Sequence, residues 1–326
     1  MMNKLINFLV LALAATQVCC AEQMTETTVK IVDELGVPIS GVDVKVSYPL
    51  MRTGDYSTGS GITNDEGIYV YSGESLAEFF VTAKKEGYYE SRYQGKVYAV
   101  EDSERILLSP DVSLILKEVK EPIPLFGRSR VSLKVPEFGK DLGFDCEAAD
   151  WVVPYGNGQR ADLFFKVSGY YNERDDRDTT LTISFPKEGD GLIPFSGNPR
   201  QGSRLVSAHK APEGGYVAQK EWRKARIPTE APNELGLSFK PYDDYQEDLN
   251  YYLRVQTVLD PDGDVVSAQY AKIYGDLKFD GVWNRESYII IDALYFNPTT
   301  NDRNVEYKIG ENLNTGLRHS LNPHLP

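Results

Sequence analysis

From Thr28 to Tyr295 the chain never sustains a helical spacing of apolar residues for more than about two turns. Short runs of Val, Ile, Tyr and Phe recur instead, and Gly, Pro, Asn and Asp separate them. Val42, Val44 and Val46 place β-branched residues on one face at a period of two, the spacing of a half-buried strand. Strands this short must bury that face against a second sheet, so the expected fold class is all-β and built of antiparallel sandwiches.

The first folded unit is expected over residues 26–118. Thr28 to Val32 alternates as a strand, and Asp33, Glu34 and Gly36 make a turn. Arg52 to Gly61 reads as a polar loop. Thr63-Asn64-Asp65-Glu66-Gly67 reads as a hairpin turn ahead of Ile68-Tyr69-Val70-Tyr71. Glu78 to Lys84 is a further strand, Lys85 to Tyr89 the following turn, and Val112 to Leu116 closes the unit. The stretch Val32-Asp33-Glu34-Leu35-Gly36-Val37-Pro38-Ile39-Ser40-Gly41-Val42-Asp43-Val44, then Thr63 to Gly67, then Lys84-Lys85-Glu86-Gly87-Tyr88, resembles the carboxypeptidase-regulatory-like, or transthyretin-like, family. The resemblance implies a seven-stranded, Ig-like sandwich serving as a spacer, folding partner or accessory module. It implies no catalytic residue.

Residues 119–140 carry Pro122, Pro124, Pro136, Gly127 and Gly139 and read as a semi-rigid connector. Within it, Val131, Leu133 and Val135 alternate as one strand could. A second β-rich unit is expected over 141–310, from runs at Ala161–Val167, Thr179–Phe185, Leu235–Phe239, Asn250–Leu259, Val265–Tyr274 and Ser287–Tyr295. Lys187–Gly215 and Pro228–Glu234 read as surface loops, Gly215–Lys224 as a short helix, and 311–326 as a frayed tail. Asp150-Trp151-Val152-Val153-Pro154-Tyr155-Gly156 and Phe296-Asn297-Pro298-Thr299 loosely resemble segments of exported bacterial proteins that follow such a sandwich with a second domain.

Lys4, the apolar stretch Leu5–Val18 and the small residues before Glu22 have the form of a secretory leader over residues 1–21. The expected setting is therefore the periplasm, the cell surface or the medium. Lipid anchoring at Cys19 or Cys20 is disfavoured, because Thr16 or Gln17 stands where a lipobox needs a large aliphatic residue. Removing the leader leaves Cys146 without a disulfide partner. With 48 acidic against 35 basic residues the formal charge is −13, and no basic run exceeds Arg223-Lys224, so nucleic acid is not an expected partner. The partners expected are a protein or a polysaccharide.

Zinc peptidase chemistry needs imidazoles and a carboxylate at fixed spacing, and the chain has only His209, His319 and His324, two of them in the expected tail. Gly-x-Ser-x-Gly does not occur, and Cys146 reads as a small buried hydrophobe. No cofactor motif is present. Asp260-Pro261-Asp262-Gly263-Asp264 could offer oxygens to Ca²⁺ from Asp260, Asp262 and Asp264, but it fits a hairpin turn better, since Gly263 comes too early for a calcium loop. Trp151, Tyr155, Trp222 and Trp283 could form platforms for sugar rings, against the plainer reading of aromatic strand filler. The leading expectation is a non-catalytic exported structural or binding protein. The alternatives are a carbohydrate-binding protein using those aromatics, or an enzyme that works with carboxylates alone.

Overall fold

The computed structural model describes residues 23–50, 53–75, 78–101, 104–283 and 286–326. The expected leader, with Cys19 and Cys20, lies outside the described residues. The regular structure described is all strand apart from one short 3-10 turn at His319–Leu321, as the all-β reading requires.

The first unit contains β1 (Gln23–Val32), β2 (Asp43–Pro49), β3 (Tyr56–Ile62), β4 (Ile68–Ser75) and β5 (Glu78–Lys84). It continues with β6 (Ser91–Lys96), β7 (Tyr98–Glu101), β8 (Glu104–Leu107) and β9 (Asp111–Ile115). One sheet runs β4-β1-β9, a second runs β3-β2-β5-β6, and β7 with β8 forms a separate hairpin. Seven strands thus face each other in two sheets. Val29, Ile31, Val112 and Leu114 of the first meet Val44, Val46, Phe79 and Val81 of the second in one apolar core. Each such side chain contributes about 1.5–3 kcal/mol by leaving water. Gly67 closes the Thr63–Gly67 turn at φ +71°, and a Cβ there would meet the Ile31 carbonyl oxygen at 2.4 Å, so neither the turn nor the strand beside it accommodates a side chain.

The expected loop Arg52–Gly61 is instead largely β3. Its glycines leave room for neighbouring rings: a Cβ at Gly59 would fall 2.0 Å from the Tyr71 ring, and one at Gly61 would fall 2.3 Å from that of Tyr69.

The second unit contains β10 (Ile123–Lys134), β11 (Leu142–Asp145), β12 (Asp150–Trp151), β13 (Leu163–Glu173) and β14 (Asp176–Ser184). Then follow β15 (Gly191–Ser196), β16 (Gln219–Pro228), β17 (Phe239–Asp243), β18 (Leu249–Leu259) and β19 (Val265–Tyr274). β20 (Lys278–Trp283), β21 (Glu286–Asn297) and β22 (Tyr307–Asn312) complete it. One sheet orders β12-β11-β13-β14-β16-β17, the other β15-β18-β19-β21-β10-β22, with β20 also paired to β21. Val131, Leu163, Phe165, Trp222, Leu253 and Ile291 are among the residues that fill the space between them.

Three expectations are corrected here. Most of the supposed connector is β10, an interior strand antiparallel to β21 and parallel to β22. Pro124, which has no N–H, sits where the β10–β22 register shifts between Ile123 and Leu125, so it removes no ladder bond from the regular part. The supposed helix at Gly215–Lys224 largely overlaps β16, whose partner β14 lies about forty residues earlier. The supposed frayed tail packs down: Pro323 and Pro326 are buried, and the Tyr295 hydroxyl donates to the Leu325 carbonyl at 3.0 Å.

The tail and the 197–211 loop cover part of the outer face of the larger sheet, which is there buried on both sides. Tyr252, Tyr270, Tyr274, Tyr295 and Tyr307 stand on that face, each at most 5% exposed. The near-continuous burial of β19 from Gln269 onward follows from this two-sided packing.

Candidate functional site

Two places bring together polar side chains from elements far apart in the chain: the junction between the units, and a cleft at one end of the larger sheet.

At the junction, Glu306 is fully buried at the start of the chain entering β22. Its Oε1 accepts the Tyr89 hydroxyl at 2.8 Å and the Lys120 N–H at 3.0 Å, while Oε2 accepts the Glu121 N–H at 3.0 Å. One carboxylate from the second unit thus grips the first unit and the segment leading out of it. Burial, reinforced by the Glu306 carboxylate, pushes the Tyr89 hydroxyl well above its usual range. Beside it, Ser91 and Ser203 form an antiparallel bridge, flanked by Arg92 N–H to Gly202 O and Arg204 N–H to Glu90 O, both 2.9 Å. Loop 202–204 therefore lies along the free edge of β6 and caps its unpaired backbone groups. The Lys117 ammonium donates to the Val206 and Ser207 carbonyls at 3.3 and 2.9 Å. His209 Nε2 lies 2.7 Å from the Glu118 carbonyl; a carbonyl only accepts, so this nitrogen carries the proton.

Behind the junction Lys272 is fully buried and donates to Ser207 Oγ, Tyr274 Oη and the Pro326 carbonyl at 3.2, 2.9 and 3.0 Å. Its ammonium also stands 4.5 Å from the Tyr274 ring centroid and 4.8 Å from that of Tyr295. Burial drives its pKa well down, with Glu306 partly opposing that.

The second unit holds its other loops with buried carboxylates. Asp276 accepts from Trp222 Nε1 at 2.8 Å, from the Gln246 and Leu277 N–H groups at 2.9 Å, and from the Tyr251 hydroxyl. Asp145 accepts the Glu147, Ala148, Gln159 and Arg160 N–H groups. Asp162 accepts the Cys146 N–H at 2.8 Å, and Asp190 takes those of Gln256 and Thr257. Burial raises both Asp162 and Asp190. Each of these groups is occupied by donors from the fold, an arrangement that holds loops in place and leaves little for chemistry.

The cleft is a cavity of about 470 Å³ lined by Arg130 of β10, loop 197–200, Tyr245, Glu247, Gly275, Lys278, Asp292 and the tail at His324. Asn250, 3% exposed, sets its floor: its Nδ2 donates to the Gly197 carbonyl at 2.9 Å and its Oδ1 accepts the Gly275 N–H at 2.9 Å. Gly275 has φ +82°, and a Cβ there would meet Asp292 Oδ2 at 2.7 Å, so glycine is needed both for the turn and for the carboxylate beside it. Lys278 binds both oxygens of Asp292, at 3.0 and 2.8 Å. Glu247 and Asp292 are both exposed.

Trp151 and Trp222 are 3% and 2% exposed, with their indole N–H groups bonded to the Lys134 carbonyl and to Asp276. Trp151 packs edge-on to Phe144 and Phe165, and Trp222 to Tyr251. Neither offers a ring face, and the platform reading fails for both. Tyr155 is exposed and donates to Glu137. The side chain of Trp283 lies outside the described residues. Asp260 spends Oδ1 on the Asp262 and Asp264 N–H groups at 2.9 Å, which is the expected hairpin turn. Among the described residues no group of three or more His, Cys, Asp or Glu is placed to hold a metal ion. Cys146 is buried, and burial raises its thiol far above the range of a reactive cysteine. No described helix is long and apolar enough to cross a membrane. The site residues that sequence left unmarked, Glu306, Arg130 and Arg200, carry no local signal, because their roles depend on partners far along the chain.

No family model and no curated protein matches the chain. Among solved structures it is similar to a 3-chlorocatechol 1,2-dioxygenase from Rhodococcus opacus, at 14% identity and a TM-score of 0.25. That match covers 30% of this chain and 61% of that one, under two thirds of its length. The major pilin subunit BcpA of Bacillus cereus aligns over 82% of this chain and 95% of its own, at 9% identity and a TM-score of 0.23. A candidate carbohydrate-binding protein from Bacteroides uniformis aligns over 82% and 97%, at 11% identity and a TM-score of 0.18.

Proposed function

We propose that this chain is a non-catalytic exported protein whose two sandwiches act as one rigid structural or binding module. The single observation that carries the reading is the junction: the buried Glu306 carboxylate grips Tyr89, Lys120 and Glu121, and loop 202–204 bridges the edge of β6. A flexible tether between independent domains would leave such groups to water. Ion and hydrogen-bond partners buried across a junction instead make separation expensive, since each freed group would stay partly desolvated. The resemblance of residues 26–118 to transthyretin-like accessory modules agrees with a supporting role, as does the form of residues 1–21 with export.

Differential scanning calorimetry of the chain starting at Glu22 tests this. The rigid-module reading predicts one cooperative transition spanning both units, which splits in two on Glu306→Gln. Two independent transitions in the unmodified chain would overturn it.

A further inference from the structure

We propose that the cleft beside Asn250 binds an acidic oligosaccharide, sugar rings that carry carboxylate or sulfate groups. This gives the binding half of the proposed function a site and a ligand class, and it does not depend on whether the junction is rigid.

Arg130 and Arg200 both line the cleft, both are exposed, and neither side chain has a hydrogen bond or ion pair among the described residues. Five other arginines in this acidic chain, Arg92, Arg160, Arg223, Arg226 and Arg303, each pair with a carboxylate, and Arg128, Arg204 and Arg254 donate to carbonyls. With 48 acidic side chains available, two guanidinium groups left open on one cavity point outward to a ligand. A guanidinium fork matches the two oxygens of a carboxylate or sulfate, which makes oxyanions its natural partner.

The backbone supports this. Arg130 has φ +55° inside β10, between the regular pairs Ser129↔Ala293 and Val131↔Ile291. For a residue with a Cβ this conformation costs about 1–2 kcal/mol, and it takes the side chain out of the strand's alternation. Arg200 is held by a turn in which Asn198 Oδ1 accepts its N–H at 2.9 Å while Asn198 Nδ2 donates to Asp248 at 2.8 Å. Both arginines therefore stand on backbone fixed by the fold.

A bare oxyanion fits less well. Glu247 and the Lys278–Asp292 pair line the same cavity, so its charged side chains are three cations against two anions. Glu247 would repel a small anion, yet it can accept hydrogen bonds from sugar hydroxyls, and Tyr245, its ring centroid 5.3 Å from the Lys278 ammonium, lines the same cavity. About 470 Å³ suits a short run of sugar rings.

Isothermal titration of the chain starting at Glu22, at low and moderate salt, would use four probes: tetragalacturonate, a chondroitin sulfate tetrasaccharide, neutral maltotetraose and inorganic phosphate. The expected result is salt-sensitive binding of one or both acidic sugars and none of maltotetraose; which acidic sugar binds identifies the charged group. Arg200→Ala and Arg130→Gly should each weaken binding about tenfold or more. Arg130→Gly should also leave the melting temperature unchanged or raise it, because glycine adopts φ +55° without strain, so lost binding cannot be blamed on misfolding. Silence from all four probes overturns the proposal, as does equal binding of maltotetraose or full affinity in both arginine variants. Phosphate competing as well as the acidic sugars do would reduce the site to an oxyanion pocket and overturn the sugar assignment.

Discussion

The two sandwiches bury similar faces by different means. Beneath its sheets the first unit is a core of Val, Ile, Leu and aromatic rings, and its buried polar groups are hydroxyls: Thr25, Thr27, Thr63, Ser75 and Ser91. The second also buries Asp145, Asp162, Asp190, Asp276, Lys272 and Glu306. Hydroxyls serve one or two neighbours each, whereas a carboxylate can satisfy three or four N–H and O–H donors at once. The second unit has long loops whose N–H groups must be satisfied, and it buries acids to do so. In the first, the partly exposed Asp33 takes the Leu35 and Val37 N–H groups of a tight turn, and no acid is buried among the described residues. Stability in the first unit should therefore follow apolar burial, and in the second a few charges.

The sharpest way to break this contrast is Asp276→Ala. It strands Trp222 Nε1, the Tyr251 hydroxyl and two backbone N–H groups in the core, and should cost about 3–5 kcal/mol. Urea unfolding followed by tryptophan fluorescence reads it cleanly, because Trp151, Trp222 and Trp283 all belong to the second unit. Next comes Glu306→Gln, which puts an amide NH₂ against a donor and should cost about 2–4 kcal/mol, seen as the split calorimetric transition. The matching change in the first unit, Thr63→Ala, removes a hydroxyl bonded to the Ile39 carbonyl and the Val42 N–H, and should cost only about 1–2 kcal/mol by urea unfolding.

How much of this was legible follows the same divide. In the first unit Gly36, Asn64 and Gly67 mark turns by local chemistry, so strands such as Glu78–Lys84 could be placed to the residue. β3 was hidden because Gly59 and Gly61 look like loop residues until the Tyr69 and Tyr71 rings are seen lying on them. In the second unit the alternation of β18, β19, β21 and the Val131–Leu133 half of β10 was readable, whereas the first half of β10 and β16 were not: their partners are remote, and prolines or mixed charges mask their pattern. The candidate site was nearly illegible. Nothing local separates Glu306 or Arg130 from the many other charged residues, and Trp151 and Trp222 drew notice for a property that burial removes.

Two smaller effects sharpen the comparison. Asp162 and Asp190 have pKa values raised by burial, so between the ordinary aspartate value and the raised one the folded state holds more protons than the unfolded. Their contribution to stability thus rises as pH falls through that window; carboxyl-carbon NMR titration should find both above the usual aspartate range. Lys272→Met should be the mildest change, neutral or slightly stabilising by thermal melting. It removes a desolvated ammonium while Tyr274 keeps its bond to the Pro326 carbonyl at 2.7 Å.

The most direct test of the central claim, that the units form one body, is a spin-label distance measurement between the units. Labels at Tyr56→Cys and Tyr170→Cys, both exposed, would report it in the chain starting at Glu22, where buried Cys146 stays unlabelled. The junction predicts a single narrow distance distribution that broadens in Glu306→Gln. A broad distribution in the unmodified chain would contradict it.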